Sequence, residues 1–547
     1  MDRTVSEVVR ERSGVYGQAR VVSRLVVAQC AGIAVWMAVA ATGAPAWVAP
    51  TAAAASAALL LIRFRGRDAI AATTTLLRHR FPRVHAPAEV RDAAQPTGRP
   101  VGLRWDGTCA TAVVEVLAPA GVTTRLGRDR ADSSQTLPLG ALSDCLRRHD
   151  VTLDGIDVIV HGRRVLDATP AGQVYAQLIG PLPAAAMRTV WLALRLDAST
   201  CRDAVDRRGG GTEGATRTII ASARRVVGTL VDSGCAARIL TASEIHSAAR
   251  RITHGADPLA AECSWSHVRL PVGYSTGGVL DPRRLDASTL THIWTHPSLS
   301  STVSVRMRAG SYGTTRVGGL VRYATRTADG PVTSGARTVH GRERDALLAS
   351  LPYAWNGLED ITELRSASRD DLDGLALPVA GCGQLIGADE SGQAVAVRLT
   401  GPGVRSVHVA GELYLAQQIV FRAVAIGARV VIHTDRADAW RSLLDGAASP
   451  DRLRIAGEHP GDREFDTVVF DGARPTTRPH TGAIHVHAHP DQWPRERPTV
   501  AIEQPNGAGD RVVLTTRGQR MRLTLVTIAA ESAHIGRPRV AQAVPVR

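Results

Sequence analysis

Two long runs of uncharged residues near the start of the chain constrain its architecture most. Residues 25–42 and residues 46–62 contain no charged side chain, and Gly43 and Pro45 lie between the two runs. A helix needs about 17 or more apolar residues to cross the hydrocarbon core of a bilayer. Inside that core every backbone N–H and C=O group must be paired within the segment. The pattern therefore predicts a transmembrane hairpin of two helices over residues 25–62.

Arginines on both sides of the hairpin predict its orientation. Five arginines precede residue 25 and six lie between residues 63 and 83, whereas the connecting turn has no charge. Because positively charged flanks stay in the cytoplasm, we expect a two-pass protein of the inner membrane with both termini and the bulk of the chain cytoplasmic. Anionic inner-leaflet lipids are the expected partner of the basic segment 63–83. The alternatives are a cleaved signal peptide with an alanine-rich linker and a buried hairpin of a soluble protein.

The composition excludes several classes of function. All 65 basic residues are arginine, so the chain lacks the lysine of a Walker-type phosphate loop, of a protein kinase and of a Schiff base. The net charge of +14 comes from arginines that are interleaved with acidic residues or lie near the predicted membrane surface. Basic stripes with interleaved aromatic residues are missing, which argues against nucleic-acid binding.

The seven cysteines are far apart in the sequence and form no CxxC pair. Zinc-ribbon and disulfide-framework spacings are therefore excluded. We expect the cysteines to behave as small buried apolar residues of a cytoplasmic body.

The rest of the chain predicts a membrane-anchored α/β protein. The expected organisation is a cytoplasmic tail over 1–24, the hairpin over 25–62, an amphipathic linker over 63–100, an α/β or α+β region over 101–380 and a second α/β region over 381–547. Asp106-Gly107 between two β-rich runs predicts a hairpin. The runs at 301–308 and 314–325 predict two paired strands joined by a hairpin around Gly310. Residues 190–196 alternate as a strand does, and residues 218–231 suit a helix ended by Gly234.

The last region has the most regular pattern. Strands and helices alternate at the spacing of parallel crossovers, which predicts a doubly wound or half-wound layer. The expected strands cover residues 404–411, 428–435 and 465–472, and the expected helices cover residues 412–427 and 437–444. The first of these helices has an amphipathic pattern in which Leu415, Ile419, Ala423 and Ile426 face the core.

Four segments, in this order, resemble the EccE family of ESX (type VII) secretion systems. They are VGLRWDG at 101–107, YAQLIGPLPAAAMRTVWLALRLD at 175–197, GGGTEGATRTIIASARRVVGTLVDSG at 209–234 and GCGQLIGADESGQAVAVRL at 381–399. The resemblance implies two transmembrane helices followed by a cytoplasmic region similar to a degenerate glycosyltransferase fold. It also implies a structural, non-catalytic subunit at the periphery of the inner-membrane complex. EccB, EccC and EccD are the implied partners, and EccC is the implied source of ATP hydrolysis.

Two patterns in the second half of the chain are candidates for ligand binding, namely a DxD pair and a run of alternating histidines. Ligands usually bind at the carboxyl ends of parallel strands, but Glu412 puts a negative charge at the helix start where a phosphate would lie. Asp371 and Asp373 form a DxD pair, by which metal-dependent glycosyltransferases hold a sugar nucleotide through a divalent cation. The alternative for this pair is a solvated loop in an aspartate-rich stretch.

His485, His487 and His489 alternate, so on a strand all three would face one side and could bind zinc or copper. Neighbouring carboxylates are sparse, and the site would be open. We therefore predict no catalytic residue, no cofactor and no metal, with these histidines and the two aspartates as the weak candidates. The alternative functions are a membrane-bound glycosyltransferase or other sugar-nucleotide enzyme, and a membrane-anchored regulatory binding module.

Overall fold

A computed structural model describes residues 28–537, apart from 62, 65–66, 83–84, 86, 88, 96–97, 129, 167–168, 311–312, 332, 458–464, 475–481, 494–497 and 506. The chain divides into two compact units, Met1–His85 and Ala86–Arg547. Each unit is described by itself below.

The first unit is helical. Helix α1 covers residues 28–40, α2 covers Val48–Leu61 and α3 covers Ala69–Arg80, while the short strands β1 (Arg63–Phe64) and β2 (Arg67–Asp68) pair antiparallel. A turn that contains Gly43 separates α1 from α2, as the sequence predicts. A Cβ atom on Gly32 would lie 3.3 Å from the carbonyl oxygen of Ala53 and 3.6 Å from Cβ of Ala57, so the two helices approach closely at this point.

The structure does not support the prediction of two membrane-spanning helices at 25–42 and 46–62. Helix α2 has 14 residues, three fewer than the predicted run, and residues 1–27 and 62 lie outside the described part. Over the residues that are described, none of the helices combines the length and the apolar character that a membrane crossing needs.

The second unit contains the remaining strands and helices. The strands are β3 (Val90–Ala93), β4 (Val101–Asp106), β5 (Cys109–Val116), β6 (Thr123–Leu126), β7 (Ala131–Ser133), β8 (Arg147–Arg148), β9 (Val151–Thr152), β10 (Gly155–Arg163), β11 (Met187–Asp197), β12 (Ala237–Ile239), β13 (Val268–Leu270), β14 (Gly273–Leu280), β15 (Ser300–Ala309), β16 (Thr315–Thr325), β17 (Ala336–Thr338), β18 (Arg365–Ala367), β19 (Gln384–Ala388), β20 (Ala394–Val397), β21 (Ser406–Ala410), β22 (Val430–Thr434), β23 (Leu453–Ile455), β24 (Thr467–Asp471), β25 (Gly482–His487), β26 (Val500–Glu503), β27 (Arg511–Thr516) and β28 (Arg520–Leu525). The helices are α4 (Leu139–Asp144), α5 (Pro170–Ile179), α6 (Arg202–Asp206), α7 (Gly211–Asp232), α8 (Ala242–Ile252), α9 (Ala287–His292), α10 (Glu343–Ala349), α11 (Arg369–Asp373), α12 (Leu413–Ile426), α13 (Arg441–Ala447) and α14 (Ala529–Ile535).

The first sheet of this unit is antiparallel. Its strands follow the order β13, β14, β16, β15, β10, β11, β5, β4 and β3. In addition, β12 pairs with β5, β17 pairs with β14 and β18 pairs with β16. The predicted hairpins are confirmed, because Asp106 pairs with Cys109 and Ala309 pairs with Thr315. Helices α4 and α7 supply buried apolar residues on one face, and α8 and α10 do so on the other.

The second sheet is mixed. The order is β23, β22, β24, β25, β21, β26, β27, β28, β19, β20, β6 and β7, and the pairs are parallel from β23 to β26 and antiparallel from β26 onward. The predicted alternation of strands and helices after residue 404 is therefore confirmed as parallel crossovers. Strands β6 and β7 come from residues 123–133 and complete the antiparallel edge of this sheet.

Helices α5, α12, α13 and α14 share a core on one face of the second sheet. Leu415, Ile419, Ala423 and Ile426 of α12 are buried in the core, as predicted, but the helix is buried all round from Tyr414 to Ile426, so the expected exposed polar face is wrong. The physical reason is that other helices cover its outer face and its polar residues find partners there. Gln418 and Arg422 on that face bond to Glu531 of α14.

The cysteines are all free. Cys145, Cys201, Cys235 and Cys382 are buried, as predicted, and Cys109 and Cys263 are half-buried. Cys30 on α1 is exposed, so the prediction of a buried cysteine is wrong at this position.

Candidate functional site

Ligands of parallel sheets usually bind at the carboxyl ends of the strands. Glu412 is the N-cap residue of α12, directly after β21. Its backbone N–H donates to Oε1 of Gln504 over 2.7 Å, and its carboxylate accepts from the N–H of Gly509 over 3.2 Å. Gln504 is 2% exposed. The Glu412 carboxylate is therefore held beside this helix start, although it makes no capping hydrogen bond to the first N–H groups of α12.

Gly411 shows how tightly this crevice is filled. Its φ angle is +144°, and a Cβ atom there would lie 2.2 Å from Oε1 of Gln504. The backbone can pass over the Gln504 amide only because residue 411 has no side chain.

Asp471 lies at the carboxyl end of β24, which β25 separates from β21, and its carboxylate is also fully hydrogen-bonded. Its carboxylate accepts hydrogen bonds from Nε of Arg436 at 2.9 Å, Nε1 of Trp440 at 2.8 Å and Oγ1 of Thr434 at 3.0 Å. Burial by itself would raise the pKa of Asp471, but the hydrogen bonds from Arg436 and Trp440 outweigh it and the pKa lies below its usual value. The carboxylate is held as a structural acceptor between β22, β24 and the turn that leads to α13.

The DxD pair lies on α11, and each carboxylate bonds to a backbone N–H group. Asp371 accepts from the N–H of Ser368 over 2.9 Å, and the Ser368 hydroxyl accepts in turn from the Asp371 N–H over 3.1 Å, which is a capping box. Asp373 accepts from the N–H of Gly140 in α4 over 2.8 Å. The two aspartates therefore serve the starts of two different helices.

The three predicted histidines are divided by the end of β25. His485 and His487 lie on the strand and face the same side, as predicted. His489 lies beyond the strand, exposed, with its Nδ1 atom 2.9 Å from Asp491. His408 on β21 takes its place beside the other two, with ring centroids 4.8 Å from His485 and 5.2 Å from His487.

These rings belong to a longer row across the sheet. His433, Phe470, His485 and His408 are in register on the neighbouring strands β22, β24, β25 and β21. Successive ring centroids are 5.4, 5.4 and 4.8 Å apart, and successive planes are within 30° of parallel. We call this row the imidazole ladder. It lies on the face of the second sheet opposite to α12.

The geometry of the ladder does not suit a metal ion. A metal needs nitrogen lone pairs that converge on one point, whereas stacked rings direct them in nearly parallel planes. Within the described part of the chain, no group of three or more His, Cys, Asp or Glu side chains could hold a metal. Burial, together with the smaller effects of the neighbouring His485 and His487, lowers the pKa of His408 to about 4.

Comparison with known proteins shows a similarity to one family. A family model described as "Putative type VII ESX secretion system translocon, EccE" matches residues 184–277, the stretch that contains β11, α7 and α8. The chain is 27% identical over 290 residues to the ESX-5 secretion system protein EccE5 of Mycobacterium marinum, which covers 51% of this chain and 70% of that protein. Over these residues the chain is similar to proteins of the EccE family.

Two further EccE proteins support this similarity. The ESX-1 secretion system protein EccE1 of Mycolicibacterium smegmatis is 24% identical over 399 residues, which is 70% of this chain and 76% of that protein. EccE1 of Mycobacterium tuberculosis is 31% identical over 161 residues, which is 29% of this chain and 35% of that protein. The names of these relatives describe components of ESX secretion systems.

Proposed function

We propose that this protein is a structural, non-catalytic subunit of the inner-membrane complex of an ESX secretion system. The hairpin of α1 and α2 holds it at the periphery of the complex in two passes, with both termini and the second unit in the cytoplasm. Its role is to assemble and stabilise the translocation machine. EccB, EccC and EccD are the proposed protein partners.

One observation carries the proposal, namely the apolar side chains that the first unit exposes. Ile33, Trp36, Met37 and Trp47 are each more than half exposed on or between α1 and α2. Neighbouring large apolar residues of this kind mark a surface that lipid or another protein covers. Helix α2 carries no charged residue along its 14 positions, which is compatible with a hydrocarbon environment.

Helix α3 supports an attachment to the membrane surface. Leu76, Leu77 and Phe81 are exposed next to Arg78 and Arg80. Apolar side chains of such a helix enter the boundary between headgroups and acyl chains, while arginines bind anionic headgroups. We therefore assign anionic inner-leaflet lipid as the partner of this helix.

Small residues between α1 and α2 support close helix packing. The carbonyl oxygen of Ala53 lies near the position that a Cβ atom of Gly32 would take, and Ala57 lies one turn further. Helices in membranes associate through such small residues, because they allow the backbones to approach.

Purification of the tagged full chain in mild detergent, from cells that express the whole secretion system, tests the proposal. We expect the protein to resist carbonate extraction from membranes and to copurify in fixed ratio with the other membrane subunits, including the ATPase. Gly32→Leu and Ala57→Leu should weaken this copurification at least several-fold. Ala54→Leu, at an exposed position of α2, is the matched control and should leave it unchanged.

Two results would contradict the proposal. If the protein purified alone while the other subunits were expressed at wild-type levels, a structural role in the complex would be ruled out. Complete release of the protein by carbonate would rule out a membrane-spanning hairpin, but it would still allow α3 to bind the membrane surface.

A further inference from the structure

A polar cleft in the second unit is separate from every site described above. It has a volume of about 440 Å³, which is within the range of small-molecule pockets. The turn between β6 and β7 contributes Arg128, and the segment from Arg284 to Thr295 forms most of the wall, with Ser334 opposite. The cleft therefore joins the edge strands of the second sheet to the α9 region that follows β14 of the first sheet.

The two guanidinium groups at this cleft have no acidic partner. Neither Arg128 nor Arg284 forms an ion pair with a carboxylate of the described residues, although Asp286 also lines the cleft. The carboxylate of Asp286 accepts from the N–H of Thr289 over 2.7 Å and so serves as the N-cap of α9. Two positive charges therefore face the cleft together with one carboxylate, which is held at the start of α9.

The position of Arg284 depends on a structured turn. Asp281 caps this 3₁₀ turn, Pro282–Arg284, by accepting from the N–H of Arg283 over 2.9 Å. The stem of Arg284 lies against Gly335, where φ is +79° and a Cβ atom would lie 3.2 Å from Cδ of the arginine. A larger residue at 335 would therefore strain the backbone and press on the arginine stem.

The remaining wall is hydrophilic. Five serine and threonine side chains and His292 line the cleft beside the arginines. Hydroxyl groups donate and accept hydrogen bonds, so such a wall suits a ligand with hydroxyl groups of its own. Guanidinium groups bind phosphate oxygens through two parallel hydrogen bonds, which gives them both charge and directional recognition.

We propose that this cleft binds a small phosphate monoester that carries free hydroxyl groups. Arg128 and Arg284 hold the phosphate, and the serine and threonine hydroxyls bind the polyol part. The proposal is one of binding alone and includes no chemical step. Since its two arginines come from elements of different sheets, the bound ligand braces the two sheets against each other.

Titration calorimetry of the purified full chain tests this proposal, with ribose 5-phosphate, inorganic phosphate and ribose as probes. We expect ribose 5-phosphate to bind at least tenfold more tightly than inorganic phosphate, and ribose alone not to bind at 10 mM. Arg128→Gln and Arg284→Gln should each weaken ribose 5-phosphate at least tenfold, and the double variant should abolish binding. Arg283→Gln is the matched control, since it changes an exposed arginine of the same turn that does not line the cleft, and it should bind as the wild type does.

Three outcomes would overturn the proposal. These are no binding of ribose 5-phosphate at 10 mM, equal binding by the wild type and the double variant, and an equal loss in the Arg283→Gln control. Equal affinity for inorganic phosphate and ribose 5-phosphate would overturn the role of the hydroxyl groups. None of these results depends on assembly of the secretion complex, so this proposal and the proposed function fail independently.

Discussion

Arg422 and Glu531 form a bidentate ion pair in which both side chains are only 1% exposed. Nε of the arginine lies 2.7 Å from Oε1 of the glutamate, and Nη2 lies 2.8 Å from Oε2. The same guanidinium donates to the carbonyl oxygens of Leu385 and Val526. The pair thereby joins α12, β19 and the segment before α14 through a single side chain.

Removal of one member of this pair should therefore destabilise the region strongly. We expect Glu531→Ala to lower the local free energy of unfolding by about 3–5 kcal/mol, because it leaves an uncompensated buried charge. Hydrogen exchange of the α12 amides is the measurement. The double variant Arg422→Met with Glu531→Leu should recover most of the loss. As a control, Arg520→Ala breaks an exposed pair with Glu503 and should cost less than about 1 kcal/mol. If Glu531→Ala and Arg520→Ala lowered the free energy of unfolding by similar amounts, this account would be contradicted.

The imidazole ladder should make the protein sensitive to acid. Burial and the neighbouring imidazoles hold the pKa of His408 at about 4 in the fold, below the usual histidine value. The unfolded chain therefore binds more protons between about pH 6.5 and pH 4, and stability should fall as the pH is lowered through that range. His408→Phe keeps a stacked ring without a titrating group, so its thermal midpoint should fall less between pH 7.5 and pH 5.

The control for this experiment is His489→Phe, which changes the exposed histidine outside the ladder. Its midpoint should follow the wild type at both pH values. If His408→Phe shows the same fall as the wild type, the ladder is not the source of the acid sensitivity.

The titration of Glu343 should have the opposite effect on the pH dependence of stability from that of His408. This carboxyl group is 1% exposed, and burial raises its pKa to about 8, an effect that the nearby Arg322 reduces without cancelling. From about pH 4.5 to pH 8 the folded chain keeps a proton that the unfolded chain has lost, so stability should fall as the pH rises. Glu343→Gln retains an acceptor for the Gly277 N–H and removes the titration. We expect this variant to unfold at a higher temperature than the wild type at pH 8 and at the same temperature at pH 4.5.

Glu390→Gln, in an exposed turn, is the matched control and should change neither value. A Glu343→Gln variant that is less stable than the wild type at pH 8 would show that the ionised carboxylate is the stabilising form.

The DxD aspartates should behave as helix caps. We expect Asp371→Ala and Asp373→Ala each to cost about 0.5–2 kcal/mol of stability, because each removes the acceptor of a backbone N–H at a helix start. Asp370→Ala, at the exposed position between Arg369 and Asp371, is the control and should cost less. Neither UDP-glucose nor Mn²⁺ at millimolar concentration should raise the thermal midpoint. A shift that disappears in both variants would instead favour the sugar-nucleotide enzyme.

Local features of this fold could be predicted from the sequence. The hairpin at Asp106-Gly107 and the C-terminus of α7 before Gly234 follow from turn chemistry and periodicity within a few residues. The parallel crossovers around α12 follow from alternating strand and helix patterns. These are the features whose physical causes lie within one stretch of chain.

The features that depend on distant partners could not be predicted. Arg422 and Gln418 look like the solvent face of α12 until Glu531, 109 residues from Arg422 along the chain, is placed beside them. Likewise, His408 is a single histidine in a short strand, and its place next to His485 depends on the order of β21 and β25. The alternation of His408 with apolar residues predicts which face of the strand it lies on, but it does not predict which side chain lies beside it.

Pairing of β6 with β20 has a consequence for the order in which the chain matures on the ribosome. Within the described residues, β6 pairs with β7 and with β20. The second of these pairings can form only after residues 394–397 have been synthesised. Contacts so far apart in sequence form slowly. During translation the early β6–β7 hairpin therefore presents an open strand edge for the time needed to add about 270 residues. A nascent chain halted before residue 394 would keep that edge free for pairing with other chains, so premature termination is expected to yield aggregates rather than a smaller folded protein.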